Sequence, residues 1–261
     1  LWSRGLGDVY KRQVLGYKRK GRWFWPLEVE DCLIAPEGMR GLFDSVRAWQ
    51  REQGHRAFHS KTGEGTLRNL LVREGKHTGE RMVVLITTTG QASTEGFVEA
   101  VQRAWPAHSI QHGTSDSLAD TSLCDALHVL HGEAFIREEL HLGDRVLHFQ
   151  ISPMSFFQTN TFATEGLYAA ARAWAEEVRP PVLYDLYGGM GSIAMTCGDL
   201  AAEIVSVESV EAASIDGRAN VARNGFSNIR FVTQPVEHYL REQRDAGGLP
   251  EGAACILDPP R

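Results

Sequence analysis

The stretch Pro181-Val182-Leu183-Tyr184-Asp185-Leu186-Tyr187-Gly188-Gly189-Met190-Gly191-Ser192-Ile193-Ala194 decides the fold. An apolar run of strand length, Val182 to Tyr187, meets a glycine-rich turn, and a small-residue helical pattern follows. Glycines at such a turn let backbone N–H groups approach a ligand closely, where a Cβ would intrude. A second apolar run, Ile204-Val205-Ser206-Val207, ends in Glu208, about twenty residues beyond the first glycine. A carboxylate at the end of a second strand can accept both hydroxyls of a ribose. Turn and acid together predict a nucleotide-type site at the carboxyl ends of parallel strands.

Downstream, strands at 204–208, 229–233 and 254–258 alternate with helices at 210–224, closed by Gly225, and 236–244. Alternating β and α segments predict parallel, right-handed units. Four strands are fewer than a doubly wound sheet usually has, so the sheet is expected to be cut off after Asp258-Pro259-Pro260-Arg261.

Upstream, Ser152 to Thr161 is aperiodic and dense in aromatics and amides, and a helix spaced by Leu167, Tyr168, Ala171, Trp174, Ala175 and Val178 follows it. The aperiodic segment either lies over the cofactor site or merely connects domains. A boundary is expected near Ile151, giving domains at 14–150 and 151–261. Residues 1–13 have no clear periodicity and are set aside as a non-native tail.

The first domain is expected to be α+β. Helices are predicted over Gly38–Gln53 and Glu95–Trp105 and a hairpin over 66–74 and 81–88, with a short strand over Glu28–Ile34, a partial loop over Ile110–Leu127 and short strands from His128 to Phe149. Residues 14–26 mix Lys18, Arg19, Lys20 and Arg22 with Tyr17, Trp23, Phe24 and Trp25. They read either as an RNA-contacting segment or as a hairpin with its aromatics turned inward. Arg68 and Arg73, at odd separation in one strand, form no single basic stripe.

Composition narrows the classes. With 43% hydrophobic and 23% charged residues the chain is an ordinary globular one. No apolar run approaches the roughly 20 residues that span a bilayer, and no signal-peptide pattern opens the chain. A cytoplasmic monomer is therefore expected. The net charge of −6 gives no global pull toward nucleic acid. Four scattered cysteines form no C-x-x-C pair, and the histidines form no H-E-x-x-H set, so no metal site is expected.

Gly189-Met190-Gly191-Ser192-Ile193-Ala194 also fits the loose dinucleotide fingerprint, which keeps a nicotinamide or flavin enzyme admissible. Asp185 ahead of the glycines, giving D-x-Y-x-G-x-G, and Asp258-Pro259-Pro260 after the fourth strand point instead to methyl transfer onto a nucleic acid. With Phe156-Phe157-Gln158-Thr159-Asn160, Val207-Glu208 and Asn220-x-x-x-Asn224-Gly225, these motifs resemble the RNA uracil-5-methyltransferases of tRNA and ribosomal RNA.

The resemblance implies a Rossmann-like class I methyltransferase domain preceded by a smaller α+β domain. It implies S-adenosylmethionine as cofactor, contacted by Gln158, Tyr187, Glu208 and Asp258, with Ser192 a further contact, and an RNA substrate. Asp185 and the turn backbone would hold the methionine end. Gly188 stands where many members have cysteine, a departure expected to be harmless. Arg261, where amine-methylating enzymes have an aromatic residue, favours carbon methylation.

Uracil C5 is a poor nucleophile, so the family adds a cysteine thiolate at C6, methylates C5 and then removes the C5 proton with a base. In the family these groups lie after the D-P-P-R turn. Cys197 and Cys255 read as buried packing residues, so no catalytic residue is named and the chain is expected to be an inactive fragment. Some members carry an iron–sulfur cluster; Cys32 could belong to such a set only in a longer parent. A non-catalytic RNA-binding protein with a relict nucleotide site and an amine-methylating nucleic-acid methyltransferase remain the alternatives.

Overall fold

The computed structural model describes residues 2–3, 14–19, 22–27, 32–59, 62–90, 92–119 and 121–259. The chain divides into two units, one of residues 1–74 and 79–136, the other of 75–78 and 137–261.

The first unit opens with β1 (Trp2–Ser3) paired to β2 (Val14–Leu15), then the hairpin of β3 (Tyr17–Arg19) and β4 (Arg22–Leu27). The rest of the expected tail lies outside the described residues, as do Lys20 and the side chains of the basic–aromatic segment apart from Tyr17, which packs tilted against Phe43 at 5.7 Å. Of the strand expected at 28–34, residues 28–31 lie outside the described set and 32–34 form a turn.

Helix α1 (Met39–Glu52) follows, then the antiparallel pair β5 (Leu67–Glu74) and β6 (Arg81–Thr87), helix α2 (Phe97–Ala104), β7 (Ser109–Thr114) and β8 (Ala126–Gly132). The sheet order is β5-β6-β7-β8, with β6 and β7 parallel across α2. The apolar faces read from the sequence meet on this sheet: Leu42, Val46 and Trp49 of α1 and Phe97 and Val101 of α2 cluster with Leu67, Val83, Leu85 and Ile110. The buried Trp49 and Trp105 are each satisfied, Trp49 donating to Glu95 O and Trp105 to Glu37 O.

Part of the expected loop at 110–127 is the buried strand β7. Its polar residues mislead because their partners are distant. The Gln111 amide donates to Ser109 Oγ and Ala134 O, His112 bonds Thr87 Oγ1 at 2.9 Å, and Cys124 Sγ fills the space beside Gly113. Arg68 is buried too, its guanidinium donating to the carbonyls of Ser115 and Ala119.

The second unit contains the hairpin of β9 (Ile136–Leu142, from Arg137 onward) and β10 (Arg145–Ile151), so it begins ahead of Ile151. Then come α3 (Thr161–Val178), β11 (Val182–Leu186), α4 (Ser192–Thr196), β12 (Glu203–Glu208), α5 (Glu211–Arg223), β13 (Ile229–Thr233), α6 (Val236–Asp245) and β14 (Ala254–Leu257). Asn160 caps α3, accepting from Ala163 N at 3.1 Å, and Arg179 in the left-handed region ends it before Pro180-Pro181.

The four later strands form one parallel sheet in the order β13-β12-β11-β14, as the βα alternation predicts. Tyr184, Leu186, Val205 and Val207 make one face of it and pack against Val236 and Tyr239 of α6. Among the described residues no helix is long and apolar enough to cross a membrane.

Candidate functional site

The register of the parallel sheet builds the site. Leu186 pairs with Val207 on one side and Leu257 on the other, so the next residue of each strand, Tyr187, Glu208 and Asp258, falls in one row at the carboxyl edge. Three of the five cofactor residues expected from the sequence thus share that edge, beside the turn Gly188–Gly191.

Each turn glycine has its own reason. A Cβ on Gly189 (φ 57°) would meet nothing within 4 Å, so the turn is open to a ligand at this residue. A Cβ on Gly191 would lie 2.5 Å from Phe231 Cζ, and one on Gly217 of α5 would lie 2.3 Å from the same atom; these two allow close packing around one ring. At Gly188 a Cβ would fall 2.1 Å from Ser206 Oγ and 2.8 Å from Asp185 Oδ2. The Ser206 hydroxyl and the Asp185 carboxylate fill the space a side chain at Gly188 would need.

Glu208 is half-buried and already organises the turn. Its Oε2 accepts from Gly189 N at 2.9 Å, and its Oε1 accepts from Val210 N at 2.7 Å. Oε1 also accepts from Ser209 Oγ at 3.2 Å, so Oε2 is the oxygen with a further lone pair for a hydroxyl. Tyr187, with φ 64°, holds a conformation rare outside glycine, a strain that clusters at ligand sites, and its hydroxyl donates to Glu237 Oε1 at 2.7 Å. Asp258 is exposed.

Ser192 is buried at the start of α4, with its hydroxyl 2.9 Å from that of Tyr168; burial pushes the Tyr168 phenol up to about 12. Gln158 is half-buried between Phe157, which packs on Phe149, and the cap Asn160. The structure does not bring Asp185 to the open side. It is 1% exposed beneath the turn, where its carboxylate accepts from Ala194 N at 3.1 Å and Ser206 Oγ at 3.4 Å. Burial raises its pKa to about 7. Its place in the motif is to pin the start of α4 from beneath the turn.

Sequence reasoning did not single out Asp216. This buried residue accepts from Ser152 N (2.9 Å), Ser152 Oγ (2.7 Å) and Ser155 Oγ (2.6 Å) and so anchors the segment that carries Gln158. Asn220 and Asn224, one and two turns further along α5, bind the backbone of Gln150 and His148 in the same way. A polar stripe at i, i+4, i+8 on a helix facing the core was the available signal.

Cys197 is buried, and desolvation pushes its thiol up to about 12. Cys255, expected to be buried, is exposed because β14 is the edge strand of this sheet. Among the described residues no group of potential metal ligands includes a cysteine, and nothing supports an iron–sulfur cluster.

Residues 124–245 match the family model of tRNA (uracil-5-)-methyltransferases. A protein of Caldanaerobacter subterraneus subsp. tengcongensis named as an uncharacterized RNA methyltransferase is 32% identical over 97% of this chain and 55% of its own length. One of Clostridium tetani with the same description is 32% identical over 98% and 56%. The crystal structure of the Pyrococcus abyssi tRNA (uracil-54, C5)-methyltransferase in complex with S-adenosyl-L-homocysteine superposes with a TM-score of 0.66 at 26% identity, covering 84% of this chain and 51% of that one.

Sheet order, glycine turn and acidic edge, with that superposition, define the fold of the S-adenosylmethionine-dependent methyltransferases. Within it, residues 124–245 match the tRNA (uracil-5-)-methyltransferase family, and nearly the whole chain is similar to RNA methyltransferases. It spans about half the length of the curated relatives it matches.

Proposed function

We propose that this chain provides the S-adenosylmethionine-binding part of an enzyme that methylates C5 of a uridine in RNA, of the transfer or ribosomal class. The observation that carries this reading is the row Tyr187–Glu208–Asp258 beside a turn open at Gly189. Glu208 would accept one ribose hydroxyl at Oε2, beside the bond from Gly189 N, and the other at Oε1 in place of the Ser209 hydroxyl. Tyr187, held by Glu237, would flank the adenosine, and Asp258 and Gln158 would close the site from two sides. Ser192 would contribute from beneath the turn, oriented by Tyr168.

When bound, S-adenosylmethionine supplies an electrophilic methyl group. Activating uracil C5 needs a thiolate at C6 and a base for the C5 proton. Neither cysteine of the second unit is placed for this. Cys197 is buried behind α4, and Cys255 sits mid-strand opposite Tyr184, below the edge that carries Asp258. The thiolate and base are therefore assigned to other parts of the whole enzyme, and this chain alone is expected to be inactive.

Two measurements test the reading. Calorimetry with S-adenosylhomocysteine should show binding that Glu208→Ala weakens about tenfold or more, the loss of charge-assisted hydrogen bonds. NAD binding weakened by the same change would replace this reading with a nicotinamide enzyme. With the full-length enzyme and RNA tritiated at uridine C5, methyl incorporation should release tritium in equal amount. Methylation without release would place the methyl group on another atom.

A further inference from the structure

A second constellation lies in the same unit, apart from the glycine turn. Residues 75–78 form a turn whose position is set by Glu138, a buried carboxylate. Glu138 accepts from the backbone N–H groups of Lys76 and His77 and from Thr161 Oγ1 at the start of α3. His77 is thereby held beside α3, its ring edge-on to Phe162 at 5.1 Å and its Nε2 2.7 Å from Glu165 Oε1. The same carboxylate oxygen accepts the backbone N–H of His141 on β9 at 2.7 Å. The His141 ring stacks on His77 with centroids 3.8 Å apart and planes 19° from parallel. One donor atom each from His77, His141 and Glu165 lies within 4.8 Å of the other two.

We propose that His77, His141 and Glu165 bind a divalent transition-metal ion of the zinc class. Two imidazoles and one carboxylate are borderline donors, the set that favours zinc over magnesium or calcium. At zinc–nitrogen distances of about 2.0–2.1 Å, ligand atoms of one tetrahedral ion stand about 3.4 Å apart, so shifts of up to about 1.4 Å close the set. His77 and Glu165 are already fixed by Glu138 and by α3, and His141 is exposed, so its ring is the one that turns. Glu139, 2.9 Å from His141 Nε2, adds a second negative charge to offset the dication. Three protein ligands leave the fourth tetrahedral position to water. The ion would tie together three segments distant in sequence: the turn at 75–78, β9 and α3.

The spacing explains why the sequence does not announce the site. No two of the three ligands lie within one helical turn, so no short motif contains them.

Cobalt titration of the full chain, freed of metal by a chelator, tests the proposal. One equivalent of Co²⁺ should give the visible absorption of tetrahedral cobalt, Zn²⁺ should abolish it, and Zn²⁺ should raise the thermal midpoint. His141→Gln, at an exposed position compatible with folding, should weaken cobalt binding about tenfold or more, as should Glu165→Gln. Failure to bind cobalt, binding unchanged in both variants, or a near-ultraviolet thiolate charge-transfer band showing cysteine ligation would each overturn it.

Discussion

Asn220 of α5 and Gln150 of β10 exchange two hydrogen bonds as two strands would: Gln150 N donates to Asn220 Oδ1 at 2.7 Å, and Asn220 Nδ2 donates to Gln150 O at 3.0 Å. Asn224 repeats the exchange with His148, and Asp216 accepts from Ser152 N. Four helical residues rise about 6 Å and two strand residues about 6.6 Å, so the side chains at i, i+4 and i+8 track alternate backbone groups of the strand. The helix behind the cofactor edge thereby substitutes for a sheet neighbour of β10.

Asn220→Ala should therefore destabilise the chain by about 2–3 kcal/mol, because it leaves a backbone donor and acceptor without partners. Asn220→Asp keeps the acceptor for Gln150 N but sets a carboxylate against Gln150 O, so it should restore little. Urea denaturation of both variants measures this.

Asp216→Ala should cost about 2–4 kcal/mol, since three donors lose a charged acceptor. Asp216→Asn should cost less. Because the released segment carries Gln158, both variants should also weaken S-adenosylhomocysteine binding, read by calorimetry. Stability loss with unchanged affinity would show that the anchor does not position Gln158.

Asp185 predicts a pH dependence. Burial raises its folded-state pKa from 3.8 to about 7, so between these values the folded chain keeps a proton that the unfolded chain has released. Its contribution to stability is full below about pH 4, falls as pH rises, and levels off above about pH 7, a span of about 4 kcal/mol. Asp185→Asn, whose carbonyl can accept the same Ala194 and Ser206 donors, should remove this slope and be the more stable form at pH 8. The difference between the two stability–pH curves isolates the residue from the Arg172–Asp199 pair, whose carboxylate is held well below its ordinary range and acts with the opposite sign.

Gly188→Cys, the change toward the common family residue, should destabilise by about 2 kcal/mol through overlap with Ser206 Oγ. Ser206→Ala costs little alone, because its bond to Asp185 is long at 3.4 Å, and should recover much of the loss in the double variant. A coupling energy below about 0.5 kcal/mol in the double-mutant cycle would mean that the two positions are independent.

Most of this architecture was legible in the residues. Strand-length apolar runs, the glycine turn and Glu208 predicted the parallel sheet and its ligand edge, since a period-two pattern and a left-handed turn are local properties of the chain. The apolar faces of α1 and α2 could be read for the same reason. Strand β7 could not, because Gln111 and His112 look like loop residues until Ala134 and Thr87 are brought to them. That the β9–β10 hairpin belongs to the second unit was hidden as well, since it declares its allegiance only through the side-chain amides of Asn220 and Asn224.

What the sequence by itself determined is the succession of elements and the chemical types at the turn. Only the tertiary structure decided which of those groups lie buried beneath the turn and which stand on the strand-end row. Asp185 and Glu208 are both carboxylates at strand ends, yet burial beneath the turn makes one a brace for α4, while register places the other on the open row with Tyr187 and Asp258. His77, His141 and Glu165 converge for the same physical reason: side chains distant along the chain meet only when the backbone hydrogen bonds to Glu138 and Glu165 fix where their segments lie.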